Sequence, residues 1–466
     1  MKKILIILNL VFLTFAVASP CTIGIISPDA TESGHSILFK NRDTVNSSQE
    51  VHFIRGERFC FIALSDDGDT TNAYVGINEA GFAIANSDVC NLPDTVSAST
   101  YLDGNLMFDA LSICANADDF EALLDSTNSL PRGWCANYAV IDAEGNARIY
   151  ETSYSYYSVF DATDVGFLVR TNFAVSGTDT GRAGQFRYMR ARDILESAEV
   201  ISEQFILQNL VRDIASEELN PYPLPFEDSY ASLPYGYVPT IHTIDKYYTR
   251  AAVVIDSGIM WTLLGEPIFA VAVPLWVLPV PDEVDGYSGS LLCEQAVAFR
   301  DIARNLYGNF TAVNSFAVCE LLSHNLGIEN WLIDSVKSLS DEIIPPESLE
   351  EIEDNLVREA YIRYSSLMPV FAQEYQMLEP ALSLEAYPSP FNDECIIYYS
   401  ISECMNSSPR MEIFNIRGEK VDEIPVLAIP GGHKLIWRPD NLPSGVYLLR
   451  LSTNKSSLSE KIVHLK

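Results

Sequence analysis

Short runs of alternating apolar and polar residues dominate the chain from residue 21 to about residue 175. Segments such as CTIGIISP, HSILFKNRD, VHFIRG and GFLVRTNFAV show the period of two that is typical of β-strands. Turn-forming residues separate these segments, as in DAEGN at 142–146. We therefore predict a series of strands and hairpins over this part of the chain.

Two longer segments have apolar residues at the spacing of a helix. Segments 105–125 and 189–215 carry apolar residues three or four positions apart, which predicts amphipathic helices. Strands return at 249–278, and acidic helical stretches cover about 291–378, interrupted at Pro345-Pro346. Because strands and helices come in separate blocks, the order favours a layered α+β packing over a doubly wound parallel sheet. The apolar positions are Leu106, Leu111, Ile113, Phe120, Leu123 and Leu124 in the first segment, and Ile194, Leu195, Ile201, Phe205 and Leu210 in the second.

The pattern changes again after about residue 380. Short alternating segments such as CIIYYSIS, RMEIFNIRGEKV and GVYLLRL are joined by turns rich in Gly, Pro, Asn and Asp. Such a series predicts a small β-sandwich of about 80 residues.

The first twenty residues have the pattern of an export signal. Lys2-Lys3 precede an apolar run, 4–17, that is too short to span a bilayer and ends at the small-residue site Ala16-Val17-Ala18. Residues 1–20 are therefore expected to be a signal peptide with a short pro-segment, Ser19-Pro20. No later segment offers 18 uninterrupted apolar residues, so we expect an exported chain that does not insert stably into a membrane.

The chain is strongly acidic, with 63 acidic against 30 basic residues and a formal charge of −33. This charge argues against binding to nucleic acids or to anionic membranes. A solvated acidic surface accounts for it more simply than a specific cation-binding role. The nine cysteines lack the paired C-x-x-C spacing of a zinc site, so we expect no metal and no other cofactor. Eight of them could pair or stay buried, and Cys21 would then be the one left over.

Cys21 is the cysteine with the clearest chemistry. Cleavage directly before it would place a thiol and an α-amine on one residue, and an amine with a pKa near ~7.7–8.0 can act as its base. FKNRD supplies Lys40 and Arg42, either of which could favour the thiolate, and Asp43, which could accept from the amine. Asn172 offers a side-chain amide for an oxyanion.

An ordered set of motifs resembles the choloylglycine-hydrolase type of N-terminal-nucleophile (Ntn) hydrolases. That group includes conjugated bile acid hydrolases, penicillin V acylases and proteins similar to isopenicillin-N acyltransferase. The resemblance covers residues 21 to 290 and extends toward 370. It implies a four-layer αββα domain over residues 21–372 that cleaves linear amide C–N bonds other than peptide bonds. The motifs are Cys21-Thr22, Asn41-Arg42-Asp43, GINEAGFAIAN at 76–86, VRTN at 169–172 and FRYMR at 186–190.

The resemblance also implies roles for the motif residues. Cys21 is the nucleophile, its freed α-amine the base, and Asp43 the group that binds the amine. Asn172 is the side-chain oxyanion donor, and Arg187 completes the polar network around the thiolate.

Two positions stay open at this point. Either Lys40 or Arg42 fills the place of the arginine in the family pattern G-R-N-x-D. The second oxyanion donor is a backbone group near Asn86 to Asp88, and these two residues compete for it.

The last part of the chain resembles the immunoglobulin-like (Ig-like) C-terminal sorting domains of type IX secretion substrates. The resemblance covers residues 383–466, after a linker at 373–382. It implies that the secretion machinery is a partner and that the protein crosses an outer membrane to become secreted or attached to the cell surface. The matching residues are Tyr387, Pro390, Phe391, Asn392, Gly418, Trp437, Ser444, Gly445 and Tyr447.

The expected function is thus an exported cysteine amidase or acylase acting on a small-molecule amide. Two alternatives remain: a dipeptidase-like Ntn peptidase, which shares the Cys-Thr start, and a non-catalytic exported binding protein on an Ntn scaffold. The sequence does not identify the amide or separate a hydrolase from an acyltransferase, because specificity lies in the loops that form the cleft.

Overall fold

A computed structural model of the chain describes most residues after position 20. The predicted signal peptide and pro-segment, residues 1–20, lie outside the described part. The described ranges are 21–92, 99–129, 132–180, 182–215, 237–286, 289–305, 311–339, 344–376, 382–401, 409–426, 431–439, 442–453 and 457–466.

The described elements up to residue 376 are fifteen strands and eight α-helices, besides a 3₁₀ turn, Pro28–Ala30, and a π-helical turn, Ile206–Leu210. The strands are β1 (Thr22–Ile26), β2 (Ile37–Asp43), β3 (Gln49–Arg55), β4 (Cys60–Asp66), β5 (Val75–Asn78), β6 (Ala83–Asp88), β7 (Ala136–Ile141), β8 (Ala147–Thr152), β9 (Tyr157–Asp161), β10 (Phe167–Arg170), β11 (Tyr237–Pro239), β12 (Thr249–Asp256), β13 (Ile259–Leu264), β14 (Ala272–Leu275) and β15 (Ala312–Asn314). The helices are α1 (Asp103–Ile113), α2 (Ala117–Asn128), α3 (Gln185–Ser197), α4 (Glu203–Phe205), α5 (Leu291–Asn305), α6 (Ser315–Lys337), α7 (Pro346–Ser365) and α8 (Met368–Gln376).

Two large antiparallel sheets form the centre of this region. The first has six strands in the order β10-β1-β2-β12-β13-β14, and the second has seven strands, β3 to β9, in chain order. Every residue of β1 and β2 is buried, so both strands are covered on both faces. Gly24 in β1 pairs with Phe39 in β2, and a Cβ at Gly24 would collide with the Phe39 ring. The glycine therefore permits the close approach of these two central strands.

The sheets lie face to face, and helices cover their outer faces. Strands β1 and β2 contact β6 and β7 across the interface between the sheets. Helices α1 and α2 cover the seven-stranded sheet through an aromatic cluster in which Phe120 packs edge-on against Tyr138 and Tyr150. Helices α6 and α7 cover the other sheet at β14, and α3 covers it at β10. The mixed helix and sheet content expected from the sequence is confirmed.

Both helical segments predicted from the apolar spacing are helical in the structure, but each is divided. The first becomes α1 and α2 because Asn116 caps α2, accepting from the backbone N–H of Asp119 at 3.0 Å. The second becomes α3 and then α4, which continues into a π-helical turn, Ile206–Leu210. Of the helices in the described ranges, none combines the length and apolarity that a membrane span requires.

The C-terminal region contains seven further strands in two antiparallel sheets. One sheet has the order β16-β17-β20 and the other β19-β18-β21-β22. Buried side chains from both sheets, including Ile397, Trp437 and Leu449, share one apolar core. The strands are β16 (Leu382–Tyr387), β17 (Cys395–Ile401), β18 (Arg410–Asn415), β19 (Lys420–Ile424), β20 (Gly431–Trp437), β21 (Gly445–Ser452) and β22 (Ser457–His464).

A buried ion pair fastens the helical layer to the loop before β14. The side chains of Arg212 and Glu329 are fully buried, and Arg212 Nη1 donates to Glu329 Oε2 at 2.9 Å. Arg212 also donates to the carbonyls of Pro267 and Ala270, while Glu329 accepts from the backbone N–H of Ala272. Satisfied donors and acceptors on both sides offset the cost of burying the two charges.

Removing one partner of this pair should be strongly destabilising. We expect Glu329→Gln to lower the free energy of unfolding by about 3–5 kcal/mol, because the Arg212 charge would stay buried without its carboxylate. The matched control is Glu196→Gln in the exposed Arg192–Glu196 pair, with an expected change below about 0.5 kcal/mol. Urea unfolding followed by fluorescence measures both variants. Equal losses in the two would contradict the prediction.

Candidate active site

Cys21 is the first described residue and lies at the wall of a cavity of about 260 Å³. Its side chain is buried, and the residue is 6% exposed. Residues from the central strands of both sheets line the cavity, together with residues at the start of α1. The lining residues besides Cys21 are Arg42, Asp43, Thr44, Asp66, Tyr74, Asn86, Ser87, Asp88, Leu102, Asp103 and Trp134.

The register of β1 on β2 brings Asp43 next to Cys21. Thr22 pairs with Asn41 and Ile23 with Lys40, so the start of β1 lies beside the end of β2. Burial raises the pKa of the Cys21 thiol, and the negative charge of Asp43 raises it further, while a backbone hydrogen bond from Asp43 to the thiol acts in the opposite direction.

The Asp43 carboxylate is held by Lys246, which lies just before β12, and by Thr249, the first residue of β12. Thr249 Oγ1 donates to Asp43 Oδ1 at 2.6 Å, and Lys246 Nζ lies 2.7 Å from Asp43 Oδ2. Burial lowers the pKa of Lys246 to about 8, although the charge of Asp43 opposes that shift. The sequence analysis assigned no role to Lys246 or Thr249, which lie about 200 positions from Asp43.

Arg187, in the first turn of α3, ties the start of β1 to the end of β10. Its Nη1 donates to the Cys21 carbonyl at 2.5 Å and to Thr22 Oγ1 at 2.8 Å, and its Nη2 donates to Asn172 Oδ1 at 2.7 Å. Gly184 caps α3 with a φ of 79°, and a Cβ there would collide with the Arg187 guanidinium. These contacts reach the Cys21 backbone, so Arg187 positions this residue rather than touching its thiol.

Asn172 follows β10, and its amide has a fixed direction. Because Arg187 holds Oδ1, the amide nitrogen must point the other way, and Nδ2 donates to the carbonyl of Asp88 at 3.3 Å. Asn172 is fully buried. The arrangement places a side-chain N–H donor at the end of β10, close to the end of β6.

Lys40 and Arg42 occupy alternate positions on β2 but have different surroundings. Lys40 Nζ donates to the carbonyls of Tyr74 and Asn86 at 2.8 and 2.9 Å and also to Asn86 Oδ1. Burial raises the pKa of the Cys21 thiol, and the positive charge of Lys40 is the largest influence that opposes it. Burial correspondingly lowers the pKa of Lys40, and the charge of Cys21 opposes that shift.

Arg42 lines the cavity, and its guanidinium contacts other residues of the cavity wall. Its Nη1 lies 2.8 Å from Asp66 Oδ1, and its guanidinium is 3.8 Å from the centroid of the Tyr74 ring. The guanidinium thus has a carboxylate and an aromatic face as partners. Of the two cations, Lys40 is the one that acts on the Cys21 thiol.

Asn86 and Asp88 both lie on β6 but have different hydrogen-bond partners. The Asn86 side chain accepts from Lys40 and donates to Asp103, so it is enclosed between two charged groups. Burial raises the pKa of Asp103, and the charge of Lys40 opposes this effect. Asp88 accepts from Trp134 Nε1 at 3.0 Å, and its carbonyl accepts from Asn172. Asp88 is therefore the neighbour of Asn172.

The structure brings all the sequence-predicted site residues into one region. These are Cys21, Lys40, Arg42, Asp43, Asn86, Asp88, Asn172 and Arg187, and they belong to or adjoin β1, β2, β6, β10 and α3. Sequence reasoning did not identify the aromatic and acidic lining residues Asp66, Tyr74, Asp103 and Trp134. They lie outside the quoted motifs, and their chain positions carry no spacing that points to a shared cavity.

A family model matches the C-terminal region. Residues 385–465 match the model described as a secretion system C-terminal sorting domain. The sorting domain predicted from the sequence is therefore confirmed. It indicates export and a surface or secreted location, and it implies the secretion machinery as a partner.

Comparisons of the whole chain give little further information. No curated protein matches the chain. Among solved structures, a variant of the conjugated bile acid hydrolase from Clostridium perfringens is similar at 14% identity and a TM-score of 0.33, covering 52% of this chain and 89% of that one. Penicillin V acylase from Agrobacterium tumefaciens is similar at 15% identity and a TM-score of 0.32, covering 55% of this chain and 86% of that one. A likeness at this level does not determine activity.

The different surroundings of Lys40 and Arg42 lead to a test on the thiol. We expect Lys40→Met to raise the pKa of Cys21, since the cation that opposes the effect of burial is removed. Alkylation of Cys21 by iodoacetamide at pH 8 should slow about three- to tenfold, because each pKa unit changes the thiolate fraction up to about tenfold. Peptide mass spectrometry measures the rate.

Arg42→Met is the matched control, because it removes a cation from the same face of β2. Its alkylation rate should stay within about twofold of the wild type, since Arg42 is paired with Asp66. Slower alkylation in Arg42→Met than in Lys40→Met would show that Arg42, and not Lys40, is the cation that lowers the pKa of the Cys21 thiol. Circular dichroism checks that both variants are folded.

Proposed function

We propose that this chain is an exported cysteine Ntn hydrolase with an αββα catalytic domain. It cleaves a linear amide C–N bond other than a peptide bond through an acyl-enzyme on Cys21. The observation that carries the proposal is that Cys21 and Asp43 line one cavity, while Arg187 bonds both the Cys21 carbonyl and the Asn172 side chain.

Activity in this proposal begins with cleavage of the Pro20–Cys21 bond. Hydrolysis of that bond turns the Cys21 nitrogen into a primary amine, either by autoproteolysis or by another peptidase. The Asp43 carboxylate is the acceptor for this amine, because its backbone already hydrogen-bonds the Cys21 thiol. An α-amine titrates near ~7.7–8.0, so it can take a proton at neutral pH where a lysine would be charged.

The first half-reaction transfers the acyl group. The α-amine takes the proton of the thiol, and Sγ attacks the carbonyl carbon of the amide. The carbonyl oxygen becomes an oxyanion, which Asn172 Nδ2 and a backbone group near Asp88 stabilise as donors. The ammonium then gives its proton to the leaving nitrogen, the C–N bond breaks, and a free amine departs from the thioester.

The second half-reaction releases the acid. The same α-amine takes a proton from water, and the resulting hydroxide attacks the thioester carbon. The C–S bond breaks, the thiolate recovers the proton from the ammonium, and a carboxylic acid leaves. Lys40 and Arg187 supply two buried positive charges near the residue that becomes anionic in each cycle.

The domain boundaries are part of the proposal. The bounds expected from the sequence are 21–372 for the hydrolase domain, 373–382 for a linker and 383–466 for an Ig-like sandwich. We extend the first domain to Gln376, where α8 ends with Tyr375 in the main core, and start the sandwich at Leu382, where β16 begins. The common apolar core of the two C-terminal sheets supports the sandwich. The face-to-face packing of the two large sheets between helices supports the αββα assignment.

The nucleophile is tested by mapping the N-terminus of the exported protein. We expect Cys21 to be its first residue, and we expect Cys21→Ala to abolish amide hydrolysis while leaving the circular dichroism spectrum unchanged. The substrate panel contains acyl-amides, penicillin V, conjugated bile salts and dipeptides. Cys60→Ala is the control cysteine variant and should keep wild-type turnover, because Cys60 does not line the cavity.

The other outcomes decide between the alternatives. A mature protein that keeps Ser19-Pro20, or wild-type turnover in Cys21→Ala, would contradict the mechanism. Turnover of dipeptides alone would identify a peptidase. A mature protein that begins at Cys21 and turns over none of the panel would favour a binding protein.

The oxyanion donor is tested separately. We expect Asn172→Ala to lower kcat about 10²–10³-fold with a small change in KM, because its N–H stabilises charge that develops in the transition state. Asn91→Ala is a control, since Asn91 is also a buried asparagine but its amide nitrogen donates to the carbonyls of Ala174 and Thr178. Steady-state kinetics measures both. A KM effect with unchanged kcat in Asn172→Ala would assign this residue to substrate binding.

A further inference from the structure

A second cluster of titratable side chains lies outside the cavity. Glu50 and His52 belong to β3, and Asp285 lies in the segment before α5. One ligand atom from each of the three residues falls within 4.8 Å of the others. His52 Nδ1 is 2.9 Å from Asp285 Oδ2, and His52 Nε2 is 3.6 Å from Glu50 Oε2.

Two atoms of this cluster are buried without a hydrogen bond. Glu50 is 2% exposed and His52 is 5% exposed. Glu50 Oε2 accepts from the backbone N–H of Gly68 at 3.0 Å. In contrast, Glu50 Oε1 and His52 Nε2 meet the geometry of a hydrogen bond with none of the described residues. His52 Nε2 has only the 3.6 Å ionic contact with Glu50 Oε2, and Glu50 Oε1 has no hydrogen bond among the described residues. Buried polar atoms that are incompletely bonded are costly, so these two atoms point to a ligand of their own.

We propose that Glu50, His52 and Asp285 bind one divalent transition-metal ion, with Zn²⁺ the best match. One imidazole nitrogen and two carboxylate oxygens form a ligand set that zinc accepts, with water completing the coordination. Ca²⁺ and Mg²⁺ prefer oxygen ligands throughout, and the imidazole therefore disfavours them. The two carboxylates balance the charge of the ion. The Asp285 side chain is 31% exposed, which leaves an entry path from solvent.

The site joins parts of the chain that are far apart in sequence. His52 and Asp285 are separated by 233 positions, and β3 belongs to the seven-stranded sheet while Asp285 follows the last strand of the six-stranded sheet. An ion there would cross-link the two halves of the domain. The expectation of no metal rested on the spacing of cysteines, and this cluster contains none.

The site also adjoins the wall of the cavity. Gln49, next to Glu50, donates through Nε2 to Asp66 Oδ1 at 2.9 Å, and the same carboxylate oxygen pairs with Arg42. The ion would therefore hold the edge of the cavity in place without reaching Cys21. Its role is structural, and its test does not require a substrate.

The experiment uses the purified full exported chain after removal of metals with EDTA. Titration with ZnCl₂ by isothermal calorimetry should give one ion per chain, and the midpoint of thermal unfolding should rise by about 3 °C or more with excess Zn²⁺. Asp285→Asn and His52→Gln should each weaken Zn²⁺ binding about tenfold or more. His324→Gln removes an exposed histidine from α6 and should bind Zn²⁺ like the wild type.

Three results would overturn the proposal. The first is the absence of stoichiometric Zn²⁺ binding, and the second is wild-type affinity in Asp285→Asn. The third is a site that takes CaCl₂ in preference to ZnCl₂ or MnCl₂. Because Asp285 is partly exposed, Asp285→Asn is expected to fold even where His52→Gln does not.

Discussion

The geometry around Cys21 depends on one buried guanidinium. Arg187 bridges the Cys21 carbonyl, the Thr22 hydroxyl and the Asn172 amide oxygen, all of which are neutral acceptors. Burial lowers the pKa of Arg187, while the charges of Asp43 and Cys21 oppose that shift. A cation held in this way fixes three elements, β1, β10 and α3. It also leaves its charge available to favour an anion nearby.

Strand β2 contacts the second sheet on one face and the helical layer on the other, because side chains alternate along a strand. Lys40 reaches Tyr74 and Asn86 in the seven-stranded sheet. Asn41 points the other way, and its Nδ2 donates to the carbonyl of Val211 in the helical layer at 2.8 Å. A register slip of one residue would exchange these faces and place Lys40 away from the thiol. Full burial of β2 prevents this slip, because each face of the strand is packed and does not accommodate the side chains of the opposite face.

The local pattern of apolar and polar residues predicted which segments are strands or helices better than it predicted where those segments end. The alternation in β1 to β10 and the apolar spacing of the helices reflect contacts made within a few residues. The break between α1 and α2 also has a local signal, because Asn116 is a standard capping residue, but the continuous apolar spacing concealed it. At the site, Cys21, Asp43, Asn172 and Arg187 were accessible through motifs.

Other parts of the site had no local signal. Lys246 and Thr249 meet Asp43 because β12 pairs with β2, and that pairing joins residues about 200 positions apart. The cluster of Glu50, His52 and Asp285 is likewise formed by the packing of distant segments. Only the folded chain brings such groups together.

The pairing of Lys246 with Asp43 has a consequence for the order of events in biogenesis. Before the α-amine of Cys21 is formed, a buried Asp43 carboxylate without another partner would be an uncompensated charge. Such a charge would oppose folding of the precursor. Lys246 removes that obstacle, because Asp43 has a cationic partner before any bond is cut. In the proposed mechanism, cleavage before Cys21 would then act on a folded protein, and the new amine would join a cation that already lies beside Asp43.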